Sequence, residues 1–223
     1  MTGADPGAQR NSDAAGAQPA ASHVTGPPGG VVPPERVIDT RIVYRGHYLE
    51  YRVLTIERPD GTRSQRDIVG HPGAVAIVAL DPDDQILFVR QFRLAAGEAL
   101  LELPAGTLDV DPDSGATENP DAAAARELEE ETGFRAGRIE RLGEFWTAPG
   151  FATELMTLYL ATDLRPAEDH DRLGADEDEL LELERLSVDD ALAAVDSGAI
   201  RDAKSIVGIL RLARLRGGPA GGG

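Results

Sequence analysis

Asn119-Pro120 and Gly133 bracket a helix whose last turn collects four glutamates. Asn119 is a strong N-cap, and Pro120 suits the first helical position, where its missing N–H costs nothing. Asp121 complements the positive end, Ala122 to Ala125 have the highest helix propensity, and Gly133 supplies the stop. Within Arg126-Glu127-Leu128-Glu129-Glu130-Glu131-Thr132-Gly133-Phe134 the carboxylates crowd the negative end of the macrodipole, which prefers Lys or Arg. Glu127 and Glu131 are like charges one turn apart, a cost of ~0.2–0.5 kcal/mol. At helical spacing Glu127, Glu130 and Glu131 share one face, and Leu128 with Ala124 and Ala125 faces the core. Arg126 can pair with a neighbouring carboxylate and hold it. Such concentrated repulsion invites a counter-ion, and an all-oxygen donor set suits Mg²⁺ or Mn²⁺. A solvated acidic face is the other outcome open to a charge run.

Charge and cysteine usage narrow the chemistry further. The chain has 223 residues, 22 basic against 39 acidic side chains, a net charge of −17 and no cysteine. Bare nucleic acid is a poor partner for such a surface. Disulfides, thiolate catalysis and zinc-thiolate sites are excluded. An acidic protein that handles phosphates needs cations and local arginines between the two negative charges. No apolar run approaches a membrane span, and the N-terminus lacks the apolar core of a signal peptide, so no membrane is expected and the cytoplasm is the expected location.

Residues 1–36 are rich in Ala, Gly, Pro, Ser and Gln and read as a disordered tail, as do residues 217–223. Residues 37–70 read as a small antiparallel sheet, with Leu49, Tyr51, Val53 and Thr55 alternating and Pro59-Asp60-Gly61 as a turn. Residues 71–216 form the main domain. Ala74 to Leu80 is a continuous apolar run fit for a strand buried on both faces, Ile86 to Val89 is the next strand, and two more lie within 138–162 around Ala148-Pro149-Gly150. Ser187 with Asp190 marks a helix over Val188 to Val195. A last helix over Asp202 to Leu215 places Ile206, Ile209, Leu210 and Ala213 on one face. Mixed strands flanked by helices predict an α/β/α sandwich, preceded by the small N-terminal sheet.

The acidic helix resembles the core of the Nudix box. Glu118 stands seven residues before Arg126, as that pattern requires, and Gly106 resembles the box glycine. Eleven residues separate Gly106 from Glu118 where the pattern has five, and Asp111-Pro112-Asp113-Ser114-Gly115 reads as an inserted loop. Val89-Arg90-Gln91-Phe92-Arg93, Leu101-Glu102-Leu103-Pro104-Ala105-Gly106, Ala148-Pro149-Gly150, Asp176-Glu177-Asp178-Glu179 and Asp202-Ala203-Lys204-Ser205 are similar to the ADP-ribose pyrophosphatase branch of that superfamily. Together they cover roughly residues 40 to 213.

The resemblance implies the Nudix α/β/α fold and a Mg²⁺-dependent hydrolase, with Mn²⁺ as a substitute, that cleaves ADP-ribose to AMP and ribose 5-phosphate. It implies Glu127 and Glu131 as principal metal ligands, assisted by Glu130, the Ala105 carbonyl and Glu179. Glu177 is the implied general base, with Glu130 and Arg126 as further catalytic residues. Arg93, Glu102, Arg66 and Phe151 are the implied substrate contacts. A homodimer built through the N-terminal sheet follows from the same likeness. Other readings stay open at this point: another nucleoside diphosphate derivative as substrate, a non-catalytic ADP-ribose sensor, or an unrelated acidic metal-binding protein.

Overall fold

Ala74 to Ala79 has every residue buried, and the rest of the fold is arranged around that strand. A computed structural model describes residues 35–167 and 181–217. Three antiparallel strands come first: β1 (Arg36–Arg45), β2 (Glu50–Glu57) and β3 (Arg63–Gly70), with β2 in the middle. The Pro59-Asp60-Gly61 turn joins β2 and β3, closed by Gly61 N–H donating to Arg58 O at 2.9 Å, with Gly61 at φ 81°. Period two located β2, but of its alternating set only Val53 is buried, and the second buried position, Ile56, lies on the other face. A thin three-stranded sheet with so little cover buries isolated residues rather than one whole face.

The main body contains β4 (Ala74–Ala79), β5 (Ile86–Arg93), β6 (Glu98–Glu102), β7 (Ala105–Thr107), α1 (Pro120–Thr132), β8 (Phe134–Trp146), β9 (Leu155–Pro166), β10 (Glu182–Leu186), α2 (Val188–Asp196) and α3 (Ala203–Arg216). One sheet has the order β7-β4-β9-β8, with β4 parallel to β9 and antiparallel to β7; the other has the order β10-β5-β6. Alternate residues of β4 serve opposite cores. Val75, Ile77 and Ala79 pack with Ala123, Ala124 and Leu128 of α1. Ala74, Ala76 and Val78 pack with Leu103, Ile209 and Leu212 on the α3 side. The predicted sandwich is therefore present, and a two-sided strand explains the unbroken apolar run.

The helix signals hold in detail. Asn119 accepts from Asp121 N–H at 2.8 Å, and Gly133 closes α1 at φ 73° with its N–H on Glu129 O. Ser187 caps α2 through Asp190 N–H. Two face assignments shift. Ala123, not Ala125, joins Ala124 and Leu128 in the core. On α3 the buried set is Lys204, Ser205, Gly208, Ile209 and Leu212, whereas Leu210 is half exposed. Apolar periodicity overlooked this face because polar and glycine residues make up most of it.

Candidate active site

The end of α1 meets β7 at a glycine. A Cβ at position 106 would overlap the Glu127 carboxyl group, so only a bare Cα lets that carboxylate lie on the strand. One turn on, Glu131 Oε2 accepts the Ala105 N–H at 2.9 Å. Glu127 and Glu131 are thus set, at i and i+4, over Gly106 and Ala105, the first two residues of β7. The like charges that looked costly in the sequence are held together by this docking.

Arg126 supplies much of the compensation. Its guanidinium donates to Glu118 from Nε at 3.2 Å and Nη2 at 2.8 Å, and to Glu130 from Nη1 at 2.7 Å. Its Nη1 also lies 2.8 Å from Glu127 Oε1. The Arg126 hydrogen bond holds the Glu118 carboxyl below the usual carboxylate range. The inserted loop does not disturb this pairing. Asp111 Oδ1 accepts from Asp113 and Ser114 N–H, Gly115 turns at φ 70°, and Glu118 N–H returns to Asp109 O at 2.8 Å. The insertion closes on itself and delivers Glu118 back to Arg126.

Glu129 goes elsewhere. It is buried and accepts from Arg135 Nε and Nη2 at 2.7 Å each, tying the end of α1 to β8. The four glutamates therefore divide, with Glu127, Glu130 and Glu131 on the β7 and Arg126 side and Glu129 fastening the helix.

Glu102, the last residue of β6, is buried. It is 2% exposed and takes a bidentate grip from Arg93, Nε to Oε1 at 2.9 Å and Nη2 to Oε2 at 2.7 Å. Lys204 Nζ donates to the same Glu102 Oε2, and to Asp202 Oδ1 at 3.0 Å. Burial opposes ionisation of Glu102, but Arg93 and Lys204 outweigh it and keep its pKa below the ordinary value. A carboxylate depressed in the native state gives stability that is full above its unfolded pKa, about 4.3, and that fades as pH falls through the lower native value. Glu102→Gln should therefore destabilise the protein at neutral pH and flatten the acid limb of its stability curve. Urea midpoints measured between pH 3 and 7 check this, and parallel acid limbs would contradict it.

Arg66 and Phe151 lie apart from the α1 carboxylates along the chain. Arg66, on β3, donates to Glu35 at 2.6 Å. Phe151 is more than half exposed, and its carbonyl accepts Val69 N–H at 2.7 Å, which stitches the end of β3 to the turn after β8. His71 completes that seam. Its N–H donates to Thr153 Oγ1, its Nδ1 accepts from Gly73 N–H, and burial lowers its pKa against the opposing pull of Glu154. Glu177 and Glu179 lie outside the described residues.

Among the described residues, no three His, Asp or Glu side chains are already gathered to hold a cation. The donors nonetheless fit one chemically. Carboxylates at Glu127, Glu130 and Glu131 and the Ala105 carbonyl are hard oxygens on one helix end and the strand it docks on.

Comparisons with known proteins identify the family. A NUDIX domain family model matches residues 70–206. The chain is 38% identical over 175 residues to an ADP-ribose pyrophosphatase of Bacillus subtilis (strain 168), covering 78% of this chain and 90% of the relative. It has the same identity and coverage with a methanol dehydrogenase activator of Bacillus methanolicus. A crystal structure of an ADP compounds hydrolase superposes with a TM-score of 0.71 over 86% of this chain and 99% of that one, a likeness of fold at 22% identity.

Proposed function

Because this chain belongs to the NUDIX domain family, we propose that it is an ADP-ribose pyrophosphatase, adding water across the phosphoric anhydride of ADP-ribose to release AMP and ribose 5-phosphate. The observation that carries this reading is the seating of Glu127 and Glu131 on Gly106 and Ala105. The name of the Bacillus subtilis relative directs the choice of substrate.

Glu127, Glu131, Glu130 and the Ala105 carbonyl would hold Mg²⁺, or Mn²⁺ in its place, with Glu179 as a further ligand. When bound, the divalent cation neutralises phosphate charge and makes water a stronger acid. Arg126 keeps Glu118, Glu127 and Glu130 close without letting their repulsion spread the helix end. Glu177 takes the proton of the attacking water as its oxygen bonds to phosphorus and the bridging P–O bond breaks. Arg93, whose side chain is 39% exposed, would meet a phosphate or the distal ribose, with Glu102 fixing its direction. Phe151 lines the substrate, and Arg66 contributes from the N-terminal sheet.

That sheet supports a homodimer. Nine of the ten residues of β1 are exposed, among them Val37, Ile42, Val43 and Tyr44, and an uncovered apolar edge strand is a template for a second chain. No helix among the described residues is long and apolar enough to cross a membrane, and a cytoplasmic enzyme acting on a small nucleotide is the reading we adopt.

Incubation with ADP-ribose tests the proposal. Mg²⁺ should give AMP and ribose 5-phosphate in equal amounts, and EDTA should stop the reaction reversibly. Equal turnover in EDTA would remove the metal from the account, and other products would remove the bond assignment.

A further inference from the structure

The segment from Glu102 to Gly106 crosses from one sheet to the other. Glu102 ends β6 in the β10-β5-β6 sheet, and Ala105 begins β7 in the β7-β4-β9-β8 sheet. Between them the ladder bonds of both sheets lapse, and the buried backbone groups need other partners. Pro104 has no N–H to satisfy, and its carbonyl accepts Ile77 N–H at 2.8 Å. Ala105 N–H goes to Glu131. The remaining donor, Leu103 N–H, goes to Ser205 Oγ of α3 at 2.7 Å, with Ser205 fully buried.

The start of α3 grips this crossing at successive points along one face. Asp202 caps the helix through the N–H groups of Lys204 and Ser205 and also accepts from Lys204 Nζ. Lys204, 9% exposed, reaches Glu102. Ser205 holds the Leu103 backbone. At Gly208 a Cβ would overlap Leu103 Cδ1 and stand 3.0 Å from Val78 Cγ2, so the helix closes directly on the Leu103 side chain. The crossing is thus clamped between α3 on one side and the α1 glutamates on the other.

We propose that Lys204 and Ser205 are positioning residues that set Ala105 and Gly106 at the start of β7, and with them the seat of Glu127 and Glu131, from the face opposite α1. The kinetic arm of its test rests on the hydrolase reading above; the binding arm does not. Displacing a reacting group by about 1 Å can cost ~10²-fold in rate, and loss of an outer support typically costs ~10–100-fold in metal affinity. Ser205→Ala removes one acceptor without adding bulk. In the full chain it should lower kcat for ADP-ribose by about tenfold, with KM moving less than about threefold. It should also weaken Mn²⁺ binding to the substrate-free protein, followed by electron paramagnetic resonance, by about tenfold. Ser205→Thr, which restores a hydroxyl, should recover most of both. Leu212→Ala loosens the same helix in the core about two turns beyond Ser205, leaves the Leu103 N–H to Ser205 bond in place, and should lower the Tm while leaving the Mn²⁺ affinity unchanged.

Weakened Mn²⁺ binding in Ser205→Ala alone supports the positioning role even if ADP-ribose is not turned over, in which case only the substrate reading fails. Unchanged Mn²⁺ binding and an unchanged kcat in Ser205→Ala would overturn the proposal while leaving the hydrolase reading intact. Equal losses in Ser205→Ala and Leu212→Ala would also overturn it, because general loosening of α3 would then account for the effect.

Discussion

Glu131→Gln should lower kcat for ADP-ribose by about 10²-fold or more, since removing even an outer partner of a metal ligand costs ~10–100-fold, and should leave the fold as stable as before. Two facts combine to give this result. The Gln side-chain oxygen can still accept the Ala105 N–H that Glu131 Oε2 accepts at 2.9 Å, so the docking of α1 on β7 survives. The lost negative charge sat at the C-terminal end of a helix, where an anion costs ~0.3–1 kcal/mol. Stability should therefore be unchanged or slightly raised while activity collapses. That pairing of signs marks a residue retained for chemistry rather than for folding. Thermal melts beside steady-state kinetics read both quantities. A kcat within about threefold of the parent would sink the metal assignment, since the loss expected of a ligand is far larger.

Gly106→Ala separates geometry from stability in a different way. Gly106 does not have a positive φ, so alanine meets no backbone strain there. What a Cβ meets is the carboxyl group of Glu127, the far end of a flexible side chain. Glu127 can swing aside, and the change should cost no more than about 1 kcal/mol, the low end of the penalty for adding bulk to a packed site. The carboxylate then leaves its seat, and activity should fall by ~10²-fold, as expected for a reacting constellation misplaced by about 1 Å. A melting temperature within a few degrees of the parent, beside a nearly inactive enzyme, is the expected outcome. Unchanged activity would mean that the position of Glu127 over the strand is not used.

The helix end and its caps were legible in the sequence because local chemistry determines them. Asn119, Pro120 and Gly133 act within one turn of themselves, and each sits where the capping rules place it. The two-sided burial of β4 was legible from its unbroken apolar run. The grip of α3 was not. Lys204, Ser205 and Gly208 carry no apolar signal, and their partners Glu102 and Leu103 lie about a hundred residues earlier in the chain. A period of 3.6 in hydrophobicity therefore chose Leu210 for the core, where the structure buries Gly208 and Leu212. The resemblance had marked Asp202-Ala203-Lys204-Ser205 without giving a reason for it; the sheet-to-sheet crossing supplies one. Glu129 was hidden for a similar reason, since its partner Arg135 lies beyond the helix stop and turns back only through the Gly133 bend.

The choice of substrate is decided by kcat/KM for ADP-ribose with Mg²⁺, measured beside NADH, UDP-glucose, GDP-mannose, diadenosine polyphosphates and 8-oxo-dGTP on the full chain. ADP-ribose should give the highest value, with AMP and ribose 5-phosphate as the products. No turnover of any of these compounds with either Mg²⁺ or Mn²⁺ would contradict the hydrolase reading.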